Sequence, residues 1–171
     1  MPSSEPGAAT AEPTRKTPLV LLWVAGALLV TRIGTGIYEH RRTHHPPDLV
    51  GWCAVKDAEA ESRRTGKPIM YDFTADWCPP CKKMKREVFG DRESADEIND
   101  KFIPVYAMDD GPDADAVEQL QKRYGIKAFP TLVIVSPDGS KTEASRGYGG
   151  KERTLQFLRD AHKTVKPSPK G

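Results

Sequence analysis

The spacing of apolar residues changes repeatedly along the chain, and each change predicts a different element. Residues 1–17 are rich in Pro, Ser, Ala, Thr and Glu and carry no apolar period, which predicts a disordered tail. Residues 19–30 then form an apolar run, extended by Ile33, Ile37 and Tyr38 around a single Arg32. A spanning helix needs about 20 mostly apolar residues, and Arg32 is near enough to the end to snorkel to the interface. Residues 18–38 are therefore expected to form a transmembrane anchor. A signal peptide is the rival reading, because Arg15 and Lys16 precede the run. However, "TRIGTG" offers no small-x-small cleavage site of the Ala-x-Ala kind. Residues 39–50, "EHRRTHHPPDLV", read as a polar juxtamembrane linker stiffened by Pro46 and Pro47.

From Gly51 onward the periods are short and compact. "WCAVKDAEAESRRTG" predicts a helix ending at Gly66, with Trp52 and Val55 facing inward and Cys53 within it. "KPIMYDFT" is a short apolar strand carrying one acid, Asp72. "PPCKKMKREVF" predicts a helix with Met84 and Val88, at i and i+4, on its core side. Its prolines fall in the first turn, where amides lack helical partners anyway. Gly90 interrupts the pattern before a shorter helical piece around Ala95 and Ile98. "FIPVYAM" is a second strand, and residues 113–124 are a helix with Val117, Leu120 and Tyr124 on one face. "TLVIVSPDGSKTEASRGY" reads as a hairpin turning at Ser-Pro-Asp-Gly. A last helix, residues 152–163, carries Leu155, Leu158 and Ala161, and residues 164–171 are a second disordered tail.

The order α-β-α-β-α-β-β-α defines an α/β domain over residues 51–163. Its strand-helix-strand unit implies parallel pairing, and its terminal hairpin implies antiparallel pairing. A mixed central sheet with helices on both faces follows.

Composition narrows the function only slightly. The 171 residues hold one domain with appendages, and 26 basic against 24 acidic side chains leave no strongly basic face. Nucleic acid is therefore not an expected partner. Arg15 and Lys16 before the apolar run nearly balance Arg41 and Arg42 after it, so flanking charge does not decide membrane orientation. Three cysteines are too few for a disulfide scaffold, and pairing two leaves Cys53 over.

The chemistry concentrates in "TADWCPPCKKM", residues 74–84. A Cys-x-x-Cys at a strand-to-helix junction places its first thiol at a helix N-terminus, where the dipole and free amides favour the thiolate. Cys78 is thus the candidate nucleophile. Cys81, one turn on, is the candidate resolving thiol. Pro79 and Pro80 have no N–H to donate, leaving the Cys81 amide, the dipole and nearby Lys82 and Lys83. A less stabilised thiolate means a less stable reduced form and a lower reduction potential, which argues for a reductant. A zinc site would need a second ligand pair, and none stands at matching spacing. His44 and His45 lie in the linker and read as solvated side chains. A purely structural disulfide closing so short a loop would constrain little chain entropy. No metal and no cofactor are expected.

"PIMYDFTADWCPPCKKM" followed by "AFPTLVIVSPDG" resembles the thioredoxin superfamily. The likeness is stronger to membrane-anchored bacterial thioredoxin-like proteins and to the C-terminal domain of transmembrane thiol-disulfide interchange proteins. It runs from about Trp52 to His162, through "GKP", "DFTADWC", "RYGIKAFPT", "DG" and "GY". By this resemblance Cys78 and Cys81 form a redox-active disulfide, and Pro130 is a cis-proline facing them. Phe129 then offers its backbone to an extended substrate segment, and Trp77 shields the thiols. The bland reading of Pro130 is an ordinary strand-start proline.

Asp72 is costly within an apolar strand unless protonated or paired. The resemblance makes it the acid/base that relays a proton to or from Cys81; the alternative is a strand-end acid reaching solvent. The lysine that accompanies such an acid from the next strand is replaced here by apolar residues around Val105. Cys53 reads as a small buried hydrophobe, or else as a half of an intermolecular disulfide.

Together these imply a thiol-disulfide oxidoreductase acting as a disulfide reductase on protein substrates, apocytochrome thiols among the candidates. It would be single-pass in a bacterial inner membrane, with its domain on the periplasmic side and a membrane or soluble electron donor. The alternatives are a disulfide oxidase or isomerase, a metal-delivery or binding module, and a tethered chaperone-like module.

Overall fold

A computed structural model describes residues 48–165, together with residues 23, 24, 26–29 and 32. The chain divides into two compact units, residues 1–44 and 45–171. In the first, the described residues are helical, and Trp23, Leu28 and Leu29 are exposed. No helix among the described residues is long and apolar enough to cross a membrane. The anchor expected over residues 18–38 lies largely outside the described residues. The N-terminal tail, residues 39–47 of the linker and the last six positions lie outside them altogether.

The second unit is built around one four-stranded sheet in the order β2-β1-β3-β4. Its elements in chain order are α1 (Ala58–Thr65), β1 (Ile69–Thr74), α2 (Pro79–Met84), α3 (Arg92–Lys101), β2 (Ile103–Met108), α4 (Ala114–Tyr124), β3 (Thr131–Val135), β4 (Thr142–Arg146) and α5 (Lys151–Val165). β1 pairs in parallel with β2, Asp72 opposite Tyr106, and antiparallel with β3, Asp72 opposite Leu132. β3 and β4 close the antiparallel hairpin, turned by Asp138, whose carboxylate accepts from the Ser140 amide at 3.0 Å. The mixed sheet predicted from the element order is the one observed.

β1 and β3 read as continuous apolar runs because both faces of the sheet are covered. Met70, Leu132 and Ile134 pack on one side against Met84, Val88, Phe89, Ile98, Leu158 and Ala161. Tyr71, Phe73, Val105 and Val133 pack on the other side against Ala58 and Val117. β4, at the edge, is exposed or half-buried along its whole length. Gly66 and Gly125 end α1 and α4 in the left-handed conformation, their amides bonding the Ser62 and Gln121 carbonyls.

Three local expectations need correction. The first helix starts at Ala58, and Trp52 and Cys53 lie outside it. The Cys53 amide bonds the Pro104 carbonyl at 2.8 Å, and Cys53 bridges Val105 in parallel at the outer edge of β2. Trp52 accordingly packs against the core on one side of the sheet and Cys53 against that on the other, a period of two rather than of a helix. A free strand edge outcompeted helix propensity there. Second, the helix after the cysteines is α-helical only to Met84. Lys85–Phe89 is a π-helical turn, with the Gly90 amide reaching the Lys85 carbonyl at 2.8 Å. Third, the shorter helical piece is a full ten-residue helix, α3, capped by Asp91, which accepts from the Ser94 amide at 3.0 Å.

Candidate active site

β1 delivers the chain to the site. After Thr74 a short turn carries Ala75, Asp76 and Trp77, and the Cys78 amide bonds back to the Ala75 carbonyl at 3.1 Å. Cys78 is the N-cap of α2, with extended backbone at φ −88° and ψ 106°. Pro79 and Pro80 occupy the first two helical positions, so the first amide available to Cys78 belongs to Cys81. That amide donates to Cys78 Sγ at 3.3 Å. The two cysteines are joined by a disulfide, Sγ to Sγ 2.03 Å, and are 2% and 4% exposed.

Around the disulfide lies a small apolar shell of Ala75 and Phe129. The Phe129–Pro130 bond is cis, and Pro130 is buried. The Pro130 carbonyl accepts from the Gly147 amide at 2.7 Å, tying the loop to the end of β4. Trp77 is 67% exposed and lies edge-on to the half-buried Phe129 ring at 5.9 Å. The two aromatic rings thus form an apolar platform next to a nearly covered disulfide. Cys78, Cys81 and Phe129 are brought together, with Trp77 against Phe129 on the outside and Pro130 joined to Phe129 through the cis bond.

Asp72 sits beneath this group. Met70 of β1 and Met84 of α2 share the same core cluster. Asp72 is two residues past Met70 on the same sheet face, and Cys81 is one helical turn before Met84, so the register places the acid under the first turn of α2. The carboxyl is 1% exposed, and its Oδ1 has no hydrogen-bond partner among the described residues. Burial pushes its pKa up to about 7; Lys85 opposes that shift and Asp48 adds to it. An acid poised near neutrality can take and return a proton at physiological pH. The strand-end reading of Asp72, with its carboxyl in solvent, is excluded by this burial.

Val105, opposite Tyr71, faces the other side of the sheet. The cross-strand neighbour of Asp72 is Tyr106, whose pKa is pushed up to about 12, by burial first and by Asp72 next. The cation nearest in effect comes from the helix, not the strand. Lys85 Nζ lies 5.1 Å from the Tyr106 ring centre and 3.5 Å from Asp48 Oδ2. Sequence reading missed Lys85, Asp48 and Tyr106. The available signal was that Lys85 follows Cys81 by four positions, on the same side of the helix.

Cys53 is free and half-buried, and burial, then Asp57 and Glu61, raise its thiol pKa. It is therefore a poor thiolate. Among the described residues no three His, Cys, Asp or Glu side chains gather as a metal-binding group, and His44 and His45 lie outside those residues.

A buried disulfide at a helix N-terminus, beside a cis-proline on a mixed four-stranded sheet, defines a thioredoxin-like redox domain. The chain belongs to the thioredoxin-like domain family, which matches residues 55–162. It is 29% identical over 130 residues to the thiol:disulfide interchange protein DsbD of Pseudomonas sp. (strain JR1 / K1), covering 69% of this chain and 22% of that protein. The Ralstonia nicotianae protein of the same name is 31% identical over 117 residues, covering 67% of this chain and 19% of its own length. The chain thus spans about a fifth of these two relatives. Among solved structures, a DsbH oxidoreductase superposes with a TM-score of 0.60 at 24% identity, covering 67% of this chain and 85% of that one. A thioredoxin from Thermus thermophilus superposes with a TM-score of 0.53 at 22% identity, covering 68% and 87%. These last two likenesses speak to the fold alone.

Proposed function

We propose that this protein is a thiol-disulfide oxidoreductase that works as a disulfide reductase on protein substrates. The observation that carries the direction is the single amide on Cys78 Sγ, from Cys81, with Pro79 and Pro80 unable to add another. Each missing donor leaves the thiolate less stabilised and the dithiol more ready to give up its electrons.

In the reduced protein, Cys78 as thiolate attacks one sulfur of a substrate disulfide, and the other substrate sulfur leaves as a thiolate. A mixed disulfide joins Cys78 to the substrate. Asp72 takes the proton from Cys81, whose sulfur then attacks Cys78 Sγ. The second substrate sulfur leaves, and the Cys78–Cys81 disulfide remains. Two electrons have passed to the substrate, and protons return to its thiolates from Asp72 and solvent. Trp77 and Phe129 supply the apolar platform on which the substrate segment lies, and the backbone beside Pro130 pairs with it. A donor dithiol, in the membrane or soluble, must then reduce the disulfide again. The related interchange proteins support protein partners of this kind.

The apolar run of residues 18–38 supports a single-pass anchor in a bacterial inner membrane, with the domain on the periplasmic side. Such a location would put disulfide-bearing proteins within reach.

The test is the reduction potential of the Cys78–Cys81 couple in the full chain carrying Cys53→Ser. A value of about −270 mV or below supports a reductase; a value near about −120 mV marks an oxidase and overturns the argument from the missing amides.

A further inference from the structure

We propose that Lys85 is the counter-ion of the buried Asp72 carboxylate and that Asp48, from the segment preceding the fold, competes with Asp72 for it. The inference deepens the reductase reading and rests on it for its consequence, since Asp72 matters there as the proton acceptor of Cys81. Lys85 and Asp48 are positioning residues; neither is placed against the sulfurs.

The geometry has three parts. Asp72 Oδ1 is buried with no hydrogen-bond partner among the described residues, so its ionised form depends on a nearby charge. Tyr106 stands directly opposite Asp72 on β2, and Lys85 Nζ lies 5.1 Å from the centre of that ring. The ring attracts the ammonium and so holds it at the edge of the buried compartment. Lys85 Nζ also meets Asp48 Oδ2 at 3.5 Å.

Asp48 is itself fixed. The Leu49 amide bonds the Phe89 carbonyl at 3.3 Å, Asn99 Nδ2 bonds the Leu49 carbonyl at 3.0 Å, and the Gly51 amide bonds Asn99 Oδ1 at 2.9 Å. Trp52 closes the segment over the compartment, 5.1 Å from Phe89 and 5.3 Å from Tyr106 by ring centres. Residues 48–53 thus form a strap running from the π turn and α3 to the edge of β2. Asp48 at its start competes with Asp72 for the same ammonium.

Four groups from the elements around Asp72 enter this balance. α2 and its π extension contribute Cys81 and Lys85, β2 contributes Tyr106, and the strap contributes Asp48. β3 places the apolar Leu132 opposite Asp72. Lys85 favours the carboxylate and Asp48 opposes it, while Tyr106 stays neutral across the working range. The two variants must therefore act in opposite directions.

The experiment titrates Asp72 in the oxidised full chain in detergent micelles, by the ¹³C chemical shift of aspartate carboxyls, with Asp72→Asn to assign the signal. Neither Cys78 nor Cys81 titrates in that state. Lys85→Met should raise the Asp72 midpoint by roughly one pH unit and Asp48→Asn should lower it, a neighbouring charge commonly acting on that scale. Lys85→Arg should restore the parent midpoint. The pH profile of disulfide exchange should move with the midpoints.

An unmoved midpoint in Lys85→Met, with the near-ultraviolet spectrum of the parent, overturns the proposal while leaving the reductase reading intact. If Lys85→Met does not fold, Asp48→Asn decides alone, and a midpoint that stays or rises overturns it. Midpoints that move as stated in a protein with no exchange activity would sink the reductase reading and uphold the ion pair.

Discussion

The Cys81 amide donates to Cys78 Sγ at 3.3 Å, and the two residues between them have no N–H to offer. An N-cap side chain ordinarily has two such donors within reach, those of the second and third helical residues. Here the second is Pro80. Pro80→Ala restores one donor to the attacking sulfur. A hydrogen bond to a charged acceptor contributes about 1.5 kcal/mol, so the Cys78 thiol pKa should fall by about one unit. Stabilising the reduced form raises the potential, by about 30 mV once pH exceeds both thiol values. Redox equilibration near pH 9 checks it; no change would mean that Pro80 acts only by stiffening the loop.

The buried acid predicts an unusual pH dependence of stability. The Asp72 pKa is about 7 in the fold against 3.8 in the unfolded chain, so the folded state binds the extra proton between those values. Stability from this group is therefore full below pH 4 and falls as pH rises towards 7. The loss reaches roughly 4 kcal/mol, because each pH unit separating the two values is worth about 1.4 kcal/mol. Asp72→Asn has no such slope. Urea melts of the oxidised protein and this variant should diverge steadily from pH 4 to pH 7, with the variant gaining. Parallel curves would mean that Asp72 is ionised throughout. The variant should also turn over more slowly, because Cys81 loses its proton acceptor.

How legible was this in the sequence? The dithiol, its helix and the apolar strands were legible because they are local: spacing, prolines and period place them without knowledge of the rest. The trio Asp72, Tyr106 and Lys85 was not, because it depends on strand register and on which turn of a helix lies over which strand. A one-residue error, reading Val105 instead of Tyr106, looked at the wrong face of β2. Trp52 and Cys53 were misread for a related reason. Their neighbours favour a helix, and only the free edge of β2, about 50 residues on, makes extended backbone the better choice. The π turn at Lys85–Phe89 has no local signature, yet its first residue is the one that places the cation.

Cys53 should stay a bystander in exchange chemistry. Its raised thiol pKa and its half-burial predict slow alkylation at neutral pH compared with Cys78 in the reduced protein. Timed iodoacetamide labelling with mass spectrometry checks this order. Cys53→Ser should leave turnover within about twofold, since Cys53 lies at the outer edge of β2 and Ser is close to it in size. If Cys53 labels first, an intermolecular role regains weight.

Trp77 separates substrate docking from thiol chemistry. Its ring is 67% exposed and touches Phe129 edge-on, so it contributes little to the folded core. Exposed aromatics of this kind supply binding area at low entropic cost. Trp77→Ala should leave the melting temperature nearly unchanged and the potential unmoved. Its kcat/KM toward a protein disulfide should drop by roughly tenfold, the scale of one interface anchor at about 1.4 kcal/mol. Exchange with a small disulfide such as oxidised glutathione should fall much less, because so small a substrate cannot cover both rings. Measuring both substrates on one variant decides the matter. Equal losses would mean that Trp77 acts on the sulfurs, by shielding them, and that the platform lies elsewhere.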